Sequence, residues 1–174
     1  HLDLSRQLIK SVYYGESKYC FEVISQTFNN PYHKPDLKIK IEIAPKDFET
    51  LNKHRNSACL KNSINKQEKE SVFVLLNDSI KGKIRLKGNK NDHRIENEES
   101  YKINLAKGLT IMGCEEFCLL KPERRGAVSE FFMHKLLKRE GFITIEYKFI
   151  NLQLNDHAVS TYSIEEGFND TLLV

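Results

Sequence analysis

The sequence predicts an α+β fold in which an antiparallel sheet packs against one main helix. Residues 80–87 (IKGKIRLK) alternate between small or apolar and cationic side chains, which is the two-residue period of a strand. The Asn-Asp pairs at 77–78 and 155–156 each separate two apolar runs, as hairpin turns do. Residues 128–137 instead repeat their apolar side chains with helical spacing.

Length and composition indicate one folding unit. A chain of 174 residues, 40% of them hydrophobic, can bury one core, so we expect a single domain or lobe. The net charge of +3 does not favour nucleic acid as a partner, so any anion site should be local. No apolar run has the length of a membrane span, and no signal peptide is visible, which leaves the cellular location open.

The chain divides at a proline-containing break near residue 36. Residues 1–36 are interpreted as an N-terminal arm and residues 37–174 as the main body. Residues 37–43 (LKIKIEI) are apolar at every odd position, which predicts a strand. Pro45 suits the first turn of a short helix, and residues 56–70 lack periodicity, which predicts a surface loop.

The second half of the chain predicts further strands around the main helix. Strands are expected at 72–76, 101–105 and 117–121, and a second hairpin at 147–164. The apolar phase slips between Phe149 and Ile150, which suits a β-bulge. Gly141 follows the helical pattern directly and is expected to cap the helix.

Cysteines and histidines do not form a convincing metal or catalytic pattern. Cys114 and Cys118 make a single C-x3-C pair without a second pair of zinc-like spacing, so the cysteines are interpreted as structural. A metal-dependent hydrolase would need clustered histidines, but none are spaced i, i+4 on a helix. No nucleophile elbow supports Ser-His-Asp chemistry.

The most informative feature is a row of cations on one strand face. Lys81, Lys83, Arg85 and Lys87 share one face of the strand, and Lys102 on the next predicted strand extends the same charge. One interpretation is a solvated outer face, since antiparallel sheets often keep one face in water. The other is a face that looks into a cleft containing anionic groups.

The order of these segments resembles the spore coat protein CotH kinase family. The resemblance covers about residues 37–170 and rests on several short motifs in the expected order. These are residues 37–48 (LKIKIEIAPKDF), 82–89 (GKIRLKGN), 100–105 (SYKINL), 112–113 (MG), 119–120 (LL), and 155–166, which ends in Y-x3-E.

This resemblance implies an atypical kinase that transfers phosphate from ATP, with Mg²⁺ or Mn²⁺, to Ser or Thr of protein substrates, often at the cell or spore surface or secreted. Residues 37–174 would then be the N-terminal, nucleotide-covering lobe. It implies that Lys102 contacts nucleotide phosphates, that Arg85 and Lys87 line the same cleft, that Glu130 pairs with Lys102, and that Glu166 lies near the hinge.

The same comparison implies that the chain is part of a longer protein. After Glu166 no stretch remains for a catalytic loop or a metal-binding aspartate, so no catalytic residue is assigned. The alternative is a non-catalytic interaction module that uses its basic sheet face to bind an acidic protein or glycan.

Overall fold

The structure, a computed structural model, describes residues 35–61, 70–87, 99–125 and 128–167. The expected N-terminal arm therefore lies almost wholly outside the described residues. The elements in chain order are β1 (Lys38–Glu42), α1 (Pro45–Lys61), β2 (Val72–Leu76), β3 (Ile80–Leu86), β4 (Tyr101–Leu105), β5 (Glu116–Leu120), a 3-10 turn (Pro122–Arg125), α2 (Val128–Arg139), β6 (Tyr147–Leu154) and β7 (Ser160–Glu166).

The strands form a closed seven-stranded barrel in the order β1-β2-β3-β4-β5-β7-β6. The barrel closes because β1 pairs with β2 on one side and, in parallel, with β6 on the other, from Lys38 opposite Asn151 to Ile41 opposite Leu154. The expected α+β fold, an antiparallel sheet with one main helix that resembles a kinase N-lobe, is therefore wrong. The strands themselves were predicted, but alternation within a strand does not specify the partner of an edge strand.

The core fills the interior of the barrel. Ile39, Ile41, Ile84, Ile103 and Phe117 all point inward and have no exposed surface. They occupy alternate positions of their strands, so polar neighbours point outward. The predicted alternation of β3 is confirmed, with its cations on the outer face.

Both Asn-Asp hairpin turns are confirmed, and each also ties a neighbouring strand into the barrel. Asn77 and Asp78 have φ values of 48° and 61°, the left-handed pair that a type I′ turn requires. The Asn77 side-chain oxygen accepts a hydrogen bond from the Lys40 backbone N–H at 2.9 Å. Asn155, with φ of 48°, does the same for the N–H of Ile43 at 2.8 Å.

The predicted bulge between Phe149 and Ile150 is wrong. The β6–β7 register runs without interruption from Tyr147 opposite Glu165 to Leu152 opposite Ser160. Both faces of β6 are apolar because its inner face lines the core and its outer face is covered by α2. Phe131 of α2 lies 5.3 Å from Phe149 between ring centroids.

The two helices differ in how well they were predicted. The main helix α2 is confirmed, and Gly141 has φ of 80° just after it, as expected of a cap. The helix beginning at Pro45 is not short, because α1 continues to Lys61, so the expected loop was wrong for residues 56–61. Within α1, Phe48, Leu51, Asn52 and Arg55 follow an i, i+3, i+4, i+7 spacing and line one mouth of the barrel.

Candidate functional site

The predicted cationic residues form one surface on the outside of the barrel. We call this surface, made of Lys81, Lys83, Arg85, Lys87 and Lys102, the cationic wall. Arg85 of β3 lies directly opposite Lys102 of β4 in the antiparallel register. Since Ile84 and Ile103 point inward at the neighbouring register position, these cations point outward. Of the two interpretations offered by the sequence, the described structure places this row on an outer face.

Carboxylates of β5 and β7 approach the cationic wall. The Nζ atom of Lys102 lies 2.5 Å from Oε1 of Glu116, and that of Lys87 lies 3.3 Å from Oε1 of Glu165. These side chains are only partly exposed, at 26% for Lys102 and 28% for Lys87. Arg85 donates from Nη1 to the backbone oxygen of Leu86 at 3.1 Å. These three cations are therefore held by neighbouring groups, whereas Lys81 and Lys83 are exposed.

The other two predicted residues lie on other elements. Glu130 is half-buried in the first turn of α2, which contacts β6. Strands β5 and β7 lie between β6 and β4, and the ion pair that the structure gives Lys102 is with Glu116. The Glu130 partnership implied by the resemblance thus differs from the observed contact of Lys102.

Glu166 lies at the last position of β7, opposite Phe117. Its Oε2 atom accepts a hydrogen bond from the backbone N–H of Glu146 at 3.1 Å. The charge of its carboxylate also affects the pKa of Cys114, a buried free cysteine. Burial, followed by the negative charge of Glu166, raises the pKa of the Cys114 thiol to about 11.

A second polar cluster, which the sequence did not reveal, lies in the barrel mouth beneath α1. Arg55 donates from Nη1 to Oε1 of Glu99 at 2.7 Å, and both side chains are largely buried. The Tyr101 hydroxyl donates to Oε2 of Glu99 at 3.4 Å, and the Tyr162 hydroxyl donates to the Glu99 backbone oxygen at 3.1 Å. Burial, and then the charge of Glu99, raises the pKa of Tyr101 well above its usual value.

The sequence carried only a faint signal for this cluster. Arg55 follows Phe48 and Leu51 at helical spacing, so extending the first helix by one turn would have placed it on the same face. Glu99 stands among other acidic residues at the end of a polar segment, where nothing local indicates burial. Its burial depends on the packing of α1 against the barrel.

The described residues contain no preformed binding site for a divalent metal. Across 35–61, 70–87, 99–125 and 128–167, no group of three histidine, cysteine or carboxylate side chains is positioned to ligate an ion. Magnesium in nucleotide sites commonly uses one or two carboxylates together with substrate phosphates. Glu116 and Glu165 beside the cationic wall are the carboxylates that fit this pattern.

Fold and sites together define a closed mixed β-barrel with a cationic outer wall and a polar cluster in one mouth. The chain matches no known family model and no curated protein. In the part of the chain that the structure describes, no helix is both long enough and apolar enough to cross a membrane.

Proposed function

We propose that this chain binds ATP through its cationic wall, as part of a CotH-like atypical protein kinase that phosphorylates Ser or Thr of protein substrates. The observation that carries the proposal is the cross-strand register of Arg85 and Lys102. These residues come from two of the sequence motifs on which the resemblance rests, and Lys87 follows on the same face. Fixed cations positioned where phosphate charge accumulates are the main requirement of phosphoryl transfer.

The ion pairs of the wall support this proposal because they position the cations in advance. Glu116 holds Lys102, and Glu165, which precedes the glutamate of the Y-x3-E motif, holds Lys87. A lysine oriented by a carboxylate is how kinases aim a cation at nucleotide phosphates. The phosphates would lie along the outside of the barrel, with Mg²⁺ or Mn²⁺ carried by the nucleotide and one of these carboxylates.

Calorimetric titration of ATP, with and without Mg²⁺ or Mn²⁺, tests the proposal. Lys102→Ala should weaken ATP binding by about ten-fold, corresponding to one lost charge-assisted contact. Glu116→Gln should also weaken it, because Lys102 loses the carboxylate that positions it. Lys53→Ala is the control, since Lys53 is an exposed residue of α1 in a surface ion pair. Absence of ATP binding, or equal affinity in the wild type and Lys102→Ala, would contradict the proposal.

The second candidate is a non-catalytic module that binds an acidic protein or glycan on the same basic face. The observation favouring it is Phe73, which is 70% exposed beside the wall, with the Lys83 ammonium 5.1 Å from its ring centroid. An exposed aromatic ring next to a cation offers stacking and charge together. Phe73→Ala should weaken binding of such a partner while leaving ATP affinity unchanged, which separates the two functions.

A further inference from the structure

A cavity of about 340 Å³ lies in the barrel mouth that α1 covers, on the inside of the barrel. Ligand pockets commonly have volumes of about 300–1,000 Å³, and the mouths of β-barrels are among the places where they occur. The cavity is separate from the cationic wall, because Leu86 and Tyr101 point into it while Arg85 and Lys102 point outward. An inference about its ligand therefore does not rest on the proposed function.

The cavity has a polar end made by the Arg55–Glu99 ion pair. The exposed fractions of these side chains are 14% and 9%, so the pair is largely removed from solvent yet lines the cavity. A buried ion pair is weak evidence for stability, because desolvation offsets much of the attraction. In a cavity wall, however, the guanidinium, which also donates from Nε to Oδ1 of Asn56 at 3.3 Å, lies beside a carboxylate that presents acceptors.

The Glu99 carboxylate retains capacity to accept a further hydrogen bond. A carboxylate has about four lone-pair sites, and the described partners of Glu99 are Arg55 on Oε1 and Tyr101 on Oε2. The Tyr101 hydroxyl donates its proton to Oε2 of Glu99, so it occupies one of these lone-pair sites. The carboxylate, which lines the cavity, therefore has acceptor sites beyond those that Arg55 and Tyr101 use.

The remaining walls combine apolar and aromatic side chains with the polar residues Asn52, His157 and Ser160. Phe48 and Leu51 of α1 face Leu152 and Val159 from the β6–β7 region. The ring of Phe48 lies 5.7 Å from that of His157 between centroids, at the cavity wall. Such walls favour a compact apolar or aromatic body that leaves a single edge to make polar contacts.

The charges of the polar end decide the charge of the ligand. Because Arg55 and Glu99 neutralise each other, a charged ligand would be attracted by one and repelled by the other. A ligand that complements this ion pair is uncharged, and its edge carries a hydrogen-bond acceptor for Arg55 beside a donor for Glu99. We propose that this cavity binds a small uncharged aromatic or heteroaromatic molecule whose edge pairs an acceptor with a donor, as in an aromatic amide or a nucleobase.

Ligand-observed NMR titration with four probes tests this proposal. Benzamide and adenine carry the required edge, methyl benzoate keeps the ring and the acceptor but lacks the donor, and benzoate adds a charge. Benzamide and adenine should bind saturably, and methyl benzoate and benzoate should each bind at least about ten-fold more weakly, as expected for losing a hydrogen bond to a charged group. No saturable binding of benzamide and adenine, or equal affinity for methyl benzoate, would overturn the proposal.

Variants locate the binding in the cavity. Glu99→Gln should weaken benzamide binding by about ten-fold, because a neutral amide oxygen replaces the charged carboxylate acceptor. Val159→Phe enlarges a half-exposed side chain at the cavity rim, so it should abolish binding by filling space without disturbing the ion pair. Lys53→Ala on the exposed face of α1 should have no effect. If folded Val159→Phe binds benzamide as well as the wild type, the cavity is not the site.

The two proposals fail independently. Lys102→Ala should weaken ATP binding and leave benzamide binding unchanged, because Lys102 lies outside the barrel. Val159→Phe should abolish benzamide binding and leave ATP binding unchanged. If Lys102→Ala weakens benzamide binding as much as Val159→Phe does, the cavity is not a separate site and this inference is wrong.

Discussion

Arg55 Nη1 and Glu99 Oε1 lie 2.7 Å apart although the two residues are separated by 44 positions in the chain. The pair connects α1, which covers the barrel mouth, to the residues that lead into β4. Removing one partner leaves the other charge buried without its counter-ion, which is costly. Arg55→Ala should therefore lower the free energy of unfolding by about 3 kcal/mol, measured by urea denaturation.

Two control variants separate the effect of leaving a buried charge unpaired from the effect of losing the Arg55 side chain. The double variant Arg55→Met with Glu99→Leu removes both charges and should be more stable than Arg55→Ala. Lys53→Ala breaks an exposed ion pair of the same helix and should change the free energy of unfolding by less than about 1 kcal/mol. A loss in Arg55→Ala no larger than in Lys53→Ala would show that the buried pair is not formed in solution.

Gly82 is expected to be intolerant of any side chain. A Cβ atom there would lie 2.9 Å from the backbone oxygen of Asn104 and 3.3 Å from the side chains of Leu105 and Leu76. Gly82→Ala should therefore destabilise the protein by about 1–3 kcal/mol through overpacking. Lys81→Ala on the exposed face of the same strand is the control for strand propensity. Equal thermal stability of both variants would contradict the packing at this position.

Tyr101 should make stability depend on alkaline pH. Its pKa is raised well above the ordinary value of 10.0 in the folded state, so its contribution is complete below pH 10 and is lost as pH rises through the folded pKa. Stability should fall by up to about 1.4 kcal/mol per pH unit in this window. Urea unfolding from pH 8 to 11 should show a steeper fall for the wild type than for Tyr101→Phe. Parallel curves would contradict the prediction.

Cys114 should react slowly with thiol reagents near neutral pH. Its pKa is raised from 9.0 to about 11, first by burial and then by Glu166, so little thiolate forms. Initial rates of iodoacetamide alkylation, followed by peptide mass spectrometry, should still be rising at pH 10 in the folded protein. The urea-unfolded chain is the control and should level off near the ordinary pKa. Glu166→Gln should raise the folded rate, and an unchanged rate would remove Glu166 as a contributor.

Features that depend on nearby residues were predicted well from the sequence. The Asn-Asp turns were recognisable because asparagine and aspartate tolerate the positive φ values that Asn77, Asp78 and Asn155 adopt. The alternation of β3 and the length of α2 were likewise local, since each depends on periodic apolar residues. The row of cations that forms the cationic wall is therefore recognisable in the sequence alone.

Two sequence patterns gave wrong predictions of local structure. The consecutive apolar residues Phe149 and Ile150 predicted a bulge, but they point to opposite faces of a regular strand, both of which are covered. The polar end of α1 predicted a loop, but the helix continues to Lys61. For β6 the burial of both faces decided the outcome, and burial is not encoded in one strand alone.

The sequence by itself determined the strands, the turns, the main helix and the sign of the charge on β3. Only the tertiary structure decided that the sheet closes, because the parallel pairing of β1 with β6 joins segments more than one hundred residues apart. It also decided which carboxylate meets Lys102 and that Arg55 meets Glu99 inside the mouth. The physical reason is that turns and periodicity act over a few residues, whereas strand partners and buried ion pairs depend on contacts across the whole fold.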